Sequence, residues 1–143
     1  LTQGPSMKCH RRVSYAVGVV DGKIYVIGGG FKEDEEMQVE VFDPKTRIWS
    51  FAGEEKIRWI SSSYCASLEG KIITVEGDGD EMAVYNPRQG KREEIIIAKE
   101  KEETRRSDYD LLLCVCTVEN VLYGCFDHSG FMWFDTKLNV WTR

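Results

Sequence analysis

The residues of this 143-residue chain whose types could do chemistry are two histidines, five cysteines and two glycine-rich stretches. His10 and His128 could each ligate a metal or move a proton. They stand far apart, and neither has a Cys or Glu at ligand spacing beside it, whereas zinc and copper sites need three or four converging ligands. Loop or surface histidines are therefore expected. Cys114 and Cys116 alternate with Val115, which on a strand puts both thiols on one face. Redox and zinc motifs use Cys-x-x-Cys at a turn or helix start, so a place in a packed core is expected instead. Gly28-Gly29-Gly30 has the composition of a phosphate loop, but the acidic run through Glu36 that follows would repel phosphate. A bend needing positive φ and a close backbone approach fits it better. Gly77-Asp78-Gly79-Asp80-Glu81 lacks the distant bidentate Glu of a calcium loop. No catalytic residue, cofactor or metal is expected.

The elements that hold these residues recur. Turns at Asp21-Gly22, Glu69-Gly70 and Glu119-Asn120 are 48 and 50 residues apart. Closing turns at Phe42-Asp43-Pro44, Tyr85-Asn86-Pro87 and Phe134-Asp135-Thr136 are 43 and 49 residues apart. A period of this size marks an array of supersecondary units. Each copy supplies four strand-length runs rich in Val, Ile, Tyr, Phe and Trp. Asp-Gly and Glu-Gly suit two-residue hairpins, and Asp-Pro and Asn-Pro suit type I turns. Each unit is then a four-stranded antiparallel meander. Its first two strands are apolar at nearly every position (Val17, Val19 and Val20, then Ile24 to Ile27), which implies cover on both faces. The third strand, Val39 to Asp43, alternates more, as expected further from the core. Inner strands between neighbouring sheets with wetter outer strands describe the blades of a β-propeller.

Gly28-Gly29 after a hydrophobic strand, Tyr25 three residues before the pair and Trp49 six residues past Asp43 resemble the kelch repeat. Copy two has Glu76-Gly77 for the diglycine and Arg92 for the Trp; copy three keeps Tyr123 and Trp141 but has Phe126-Asp127. The wording of copy one, from Pro5-Ser6-Met7-Lys8 through Ala16 to Gly29 and on to Glu40-Val41-Phe42-Asp43-Pro44, is similar to plant F-box/kelch-repeat proteins. The resemblance implies an all-β, partial kelch-type propeller of about three four-stranded antiparallel blades, near 9–58, 59–106 and 107–143, the last incomplete. It implies a non-enzymatic protein-recognition module, the substrate-binding part of an F-box/kelch adaptor of a Skp–cullin–F-box ubiquitin ligase. A Skp-type adaptor would be met only through an F-box that this sequence does not contain. The alternatives are another kelch scaffold or adaptor, a kelch-type enzyme acting on small metabolites (oxidase or specifier-like), or a product without function.

Length and charge set further bounds. Three units are fewer than the roughly 4–8 blades of a ring, so the chain reads as a fragment or truncated product. If its end blades each expose roughly 400 Å² of apolar surface, the loss is on the order of 10 kcal/mol, and marginal stability or aggregation is expected. A net charge of −5 argues against a nucleic-acid partner, and no apolar run approaches a membrane span. Five cysteines, odd in number and mostly in strand-like runs, fit free, buried thiols in a reducing compartment, cytoplasmic and/or nuclear.

Binding residues are expected at one end of the blades. In a meander the tight turns share one end, while the connections after the diglycine position (30–38, 77–81, 126–130) and between blades (50–61, 96–109) share the other. At that mouth stand Arg11, Arg12 and Ser14 of copy one, Trp59, Ser61 and Tyr64 of copy two, and Asp108 and Tyr109 of copy three. Arg, Trp and Tyr are common interface anchors. By the kelch resemblance, equivalent Arg and Ser positions contact peptide partners; Arg12 matches best, and copy two departs with Ile60.

Overall fold

The computed structural model describes residues 2–11, 15–32, 35–58, 64–75, 79–96 and 110–143. Among them are twelve β-strands and no helix. The first sheet is β1 (Tyr15–Val20), β2 (Lys23–Gly28), β3 (Glu36–Asp43) and β4 (Ile48–Arg58). The second is β5 (Tyr64–Leu68), β6 (Lys71–Val75), β7 (Glu81–Asn86) and β8 (Lys91–Ile96). The third is β9 (Leu112–Val118), β10 (Val121–Phe126), β11 (Gly130–Asp135) and β12 (Val140–Thr142). Each sheet is an antiparallel meander in chain order, so the chain is all-β and forms three blades of a partial propeller.

Local chemistry explains the turns. Both residues of each two-residue hairpin turn have positive φ: Asp21 at 50° and Gly22 at 73°, Glu69 at 51° and Gly70 at 71°, Glu119 at 48° and Asn120 at 64°. That is the type I′ geometry, whose twist matches the flanking strands. The closing turns are four-residue loops between paired Asp43 and Ile48, Asn86 and Lys91, and Asp135 and Val140. In each, the Asp or Asn side chain accepts a hydrogen bond from the backbone N–H two residues on, at 2.9, 3.1 and 2.9 Å. Each loop leaves through a left-handed residue, Arg47, Gly90 or Asn139.

Pleat alternation decides how the blades stack. Cys65, Ile72, Ala83 and Tyr85 of blade two face Ala16, Val20, Tyr25, Ile27 and Val39 of blade one. Ala66, Leu68, Ile73, Val75, Met82 and Val84 of the same blade face Leu112, Leu122, Phe126, Met132, Phe134 and Trp141 of blade three. Blade two is therefore covered on both faces, which is why its inner strands carry no polar alternation. Burial against blade one, with Tyr25 close by, pushes the Tyr85 phenol up to about 12. Polar bonds stitch the same seams: Val19 N–H donates to Ser67 Oγ at 3.0 Å, and Glu69 N–H to Asn120 Oδ1 at 3.0 Å. The blades approach closely at Gly18, where an added Cβ would lie 2.6 Å from Ile72 Cγ1. Gly18→Val should overpack this seam and cost about 1–3 kcal/mol in a urea melt, whereas Gly4→Val, in open space, should leave the midpoint unchanged.

Two expectations are corrected here. Residues 36–38 and 50–58 belong to strands rather than loops. β3 and β4 run on as a two-stranded ribbon, with Glu36 opposite Arg58 and Met37 opposite Ile57, past a register shift between Gln38 and Glu40. Likewise Phe126 pairs with Gly130, leaving only a tight turn between them. The cysteines are free but not buried: Cys114 and Cys116 are exposed, and Cys9, Cys65 and Cys125 half-buried. Val115 and Thr117 take the face toward blade two, so the alternating thiols fall on the opposite face of blade three, which no described residue covers. The far face of blade one has no neighbouring sheet among the described residues. The N-terminal segment covers it only in part, leaving Val26 and Glu40 buried but Tyr15, Val17 and Val19 exposed although the strand is apolar throughout.

A candidate protein-docking end

The starts of β1, β5 and β9 and the connections β2–β3, β6–β7 and β10–β11 gather at the end opposite the hairpin turns, as the meander topology requires. In blade one the diglycine shapes this end. Gly28 and Gly29 have φ of 73° and 84°, and a Cβ on Gly29 would meet the Cβ atoms of Arg11 and Tyr15 at 3.0 Å. Phe31 stands exposed just beyond, its ring stacked on His10 at 6.2 Å. Tyr64 opens β5 with its ring partly exposed.

Arg11 does not have the free guanidinium expected of a partner contact. Its side chain is buried and ion-paired with Glu40 at 3.1 Å. It donates to the carbonyls of Gly28 and Gln38 and, through Nε, to Glu40 Oε2 at 3.2 Å. Glu40 also accepts backbone N–H groups of Lys8 and Cys9, so the pair clamps the N-terminal segment onto β3. Sequence patterning missed Glu40, because an alternating strand reads a Glu as solvated. Arg12, Ser14, Trp59, Ser61, Asp108 and Tyr109 lie outside the described residues.

Blade three builds its part of this end from residues that spacing did not connect. Asp110 is buried and accepts the N–H groups of His128 and Ser129, at 2.9 and 3.3 Å. Leu111 N–H donates to Asp127 Oδ1 at 2.9 Å, and Asp127 N–H to Leu111 O at 3.0 Å. His128 Nδ1 lies 2.7 Å from Asp127 Oδ1. One ligand atom from each of Asp110, Asp127 and His128 falls within 4.8 Å of the others. Both oxygens of Asp110 and Oδ1 of Asp127 accept the backbone N–H groups that close the turn, so the arrangement holds the β10–β11 turn against the start of β9.

The same contact sets the electrostatics. The hydrogen bond to Asp127 raises His128 above its ordinary 6.5, and the bond from His128 holds Asp127 below its ordinary 3.8. Stability from His128 is full below 6.5 and is lost as pH rises through the raised value; stability from Asp127 is present above 3.8 and is lost as pH falls through the lowered one. Asp127→Asn should bring the His128 titration, followed by its Cε1–H chemical shift, back down toward 6.5.

A second feature borders blade one. The N-terminal segment crosses the open face of the blade, where Trp49 Nε1–H donates to Pro5 O at 2.9 Å. Between segment and sheet lies a groove of about 730 Å³, lined among others by Pro5, Met7, Tyr15, Val17 and Trp49.

Three stacked four-stranded meanders with a diglycine bend, and with Trp49 and Trp141 each bonded through the indole N–H to a backbone carbonyl, define a kelch-type partial propeller. Residues 1–143 match the family model described as FKB95, Kelch-repeats domain, and the chain belongs to that family. It is similar to F-box/kelch-repeat protein At2g22030 of Arabidopsis thaliana, with 32% identity over 99% of this chain and 37% of the relative. It is 35% identical to F-box/kelch-repeat protein At4g39590 of the same plant, over 98% of this chain and 34% of the relative. F-box/kelch-repeat protein At2g22050, also from Arabidopsis thaliana, is 44% identical over 61% of this chain and 33% of the relative. The chain thus spans about a third of the length of these curated relatives.

Proposed function

We propose that this chain is a non-enzymatic protein-recognition module, part of the target-binding propeller of an F-box/kelch adaptor in a Skp–cullin–F-box ubiquitin ligase. The observation that carries the reading is the match of residues 1–143 to a kelch-repeat domain, on a scaffold that brings the starts of its inner strands and the β2–β3, β6–β7 and β10–β11 connections to one end. Loops on a rigid scaffold are where recognition residues concentrate. Exposed Phe31, Leu111 and Tyr64 offer apolar anchors there, and the family names of the relatives supply the F-box association. A Skp-type adaptor would engage an F-box elsewhere in the parent polypeptide, and the module would work in the cytoplasm and/or nucleus.

The test uses the parent polypeptide that contains this chain. Purified Skp-type adaptor should bind it, and a captured target should be ubiquitinated by the reconstituted ligase. Arg12→Ala and Trp59→Ala should weaken target capture while the far-UV circular dichroism stays unchanged. Undiminished capture by both folded variants would exclude this docking end, and no binding of the adaptor would exclude the ligase role.

A further inference from the structure

We propose that Cys114 and Cys125 form a reversible dithiol–disulfide site on the outer face of blade three. The argument begins at the hairpin. A two-residue type I′ turn over Glu119 and Asn120 makes Val118 and Val121 a hydrogen-bonded pair. Alternation along the ladder then makes Cys116 and Tyr123 hydrogen-bonded, and Cys114 and Cys125 after them. Directly opposed residues share a face, and in a hydrogen-bonded pair their Cα atoms are about 5.5 Å apart. That lies inside the roughly 4.4–6.8 Å that a disulfide spans.

The competing pairings are worse. Cys116 is diagonal to Cys125, at about 7–8 Å. Cys114 and Cys116 are two residues apart on one strand, about 6.8 Å, with parallel side chains. Cys9 and Cys65 belong to the N-terminal segment and to blade two.

Geometry also makes the bond readily reduced. The Cα spacing suits a disulfide, but the Cβ atoms of a hydrogen-bonded pair stand toward about 5.5 Å apart, beyond the roughly 3.5–4.5 Å of a disulfide, so closing the bond asks the strands to twist. The ladder has slack at that point: its register shifts between Cys125 and Phe126, leaving Leu113 as the extra residue. Strained, exposed disulfides are the labile ones. In the 143-residue chain Cys114 is exposed and Cys125 half-buried, so a small oxidant can reach the pair.

With hydrogen peroxide as oxidant the step balances. One thiol gives up its proton and its sulfur attacks a peroxide oxygen; the O–O bond breaks, the departing hydroxide takes up that proton, and a sulfenic acid and water form. The second thiol then displaces water from that sulfenic acid as the S–S bond forms. Two thiols are oxidised, one peroxide is reduced, and two waters leave. A dithiol reductant reverses the reaction by thiol–disulfide exchange.

The experiment treats the 143-residue chain with near-stoichiometric peroxide and reads intact mass and thiol titre. The expected product is a monomer about 2 Da lighter that has lost two of its five thiols, restored by dithiothreitol. Cys114→Ser and Cys125→Ser should each abolish it, and Cys116→Ser should leave it unchanged. Far-UV circular dichroism of the reduced variants establishes that each is folded. Should either of the first two variants unfold, capping of the folded wild-type chain by limiting iodoacetamide before oxidation gives the same reading: peptides alkylated at Cys114 or Cys125 should carry no bond. A disulfide that survives in both single variants, one lost only in Cys116→Ser, or oxidation that yields only linked dimers or sulfinic acid overturns the proposal.

Discussion

Arg11→Met should lower stability by about 3–5 kcal/mol, measured as a fall in the urea midpoint with unchanged slope. The substitution keeps the aliphatic bulk and removes the charge opposite Glu40, which is fully buried. An uncompensated buried carboxylate is the expensive state; the intact pair itself contributes little against a well-packed apolar replacement. Arg11→Met/Glu40→Gln should therefore recover part of the loss, because the amide oxygen can still accept the Lys8 and Cys9 N–H groups that the carboxylate now takes. The double-variant cycle separates the two effects. If the single and double variants melted alike, the cost would lie in lost packing of the Arg11 stem rather than in charge. Set against a net stability of about 5–15 kcal/mol for an ordinary domain, the single change should remove a large fraction of the whole.

Trp141→Ala should cost about 3–5 kcal/mol, and Trp49→Ala roughly 1–2 kcal/mol, although the two tryptophans hold the same place in their repeats. Trp141 is fully buried between blades. It stands edge-on to Phe126 and Phe134 at 5.2 Å, touches the space over Gly124, and donates its indole N–H to Gly79 O of blade two at 3.0 Å. Trp49 packs on Phe42 at 5.1 Å and makes the corresponding bond to Pro5 O, but faces the groove rather than a blade. Equal losses in paired urea melts would mean that the N-terminal segment seals blade one as well as a neighbouring sheet seals blade three.

Much of the architecture was legible because it is set by short-range chemistry. Glu69-Gly70 and Glu119-Asn120 announce tight hairpins because few residues tolerate two successive positive φ angles. Asp43, Asn86 and Asp135 announce closing turns because their side chains bond their own backbone. Continuous apolar runs announce two-sided burial, which blade two shows in full. The loop-bearing end was legible only as a place. Arg11 looked like an anchor and proved to be a clamp, since a guanidinium near a mouth and one turned under it read identically without Glu40 beside it. Asp110 and His128, eighteen residues apart, meet only because β9 and β10 pair.

The amino-acid order alone determined the turns, the strand periods and the three-fold repetition, since each depends on φ preferences and on side chains only a few residues apart. Tertiary structure decided which of the repeated faces are covered. Three residues before the closing Asp or Asn, Ala83 and Met132 meet neighbouring sheets, while Glu40 is sealed by Arg11 and the backbone of Lys8 and Cys9. The same apolar alternation leaves Val17 and Cys116 exposed but buries Ile72 and Val75. Burial is a property of what lies about 10 Å away across the sheet, and that distance is crossed by residues tens of positions apart in the chain.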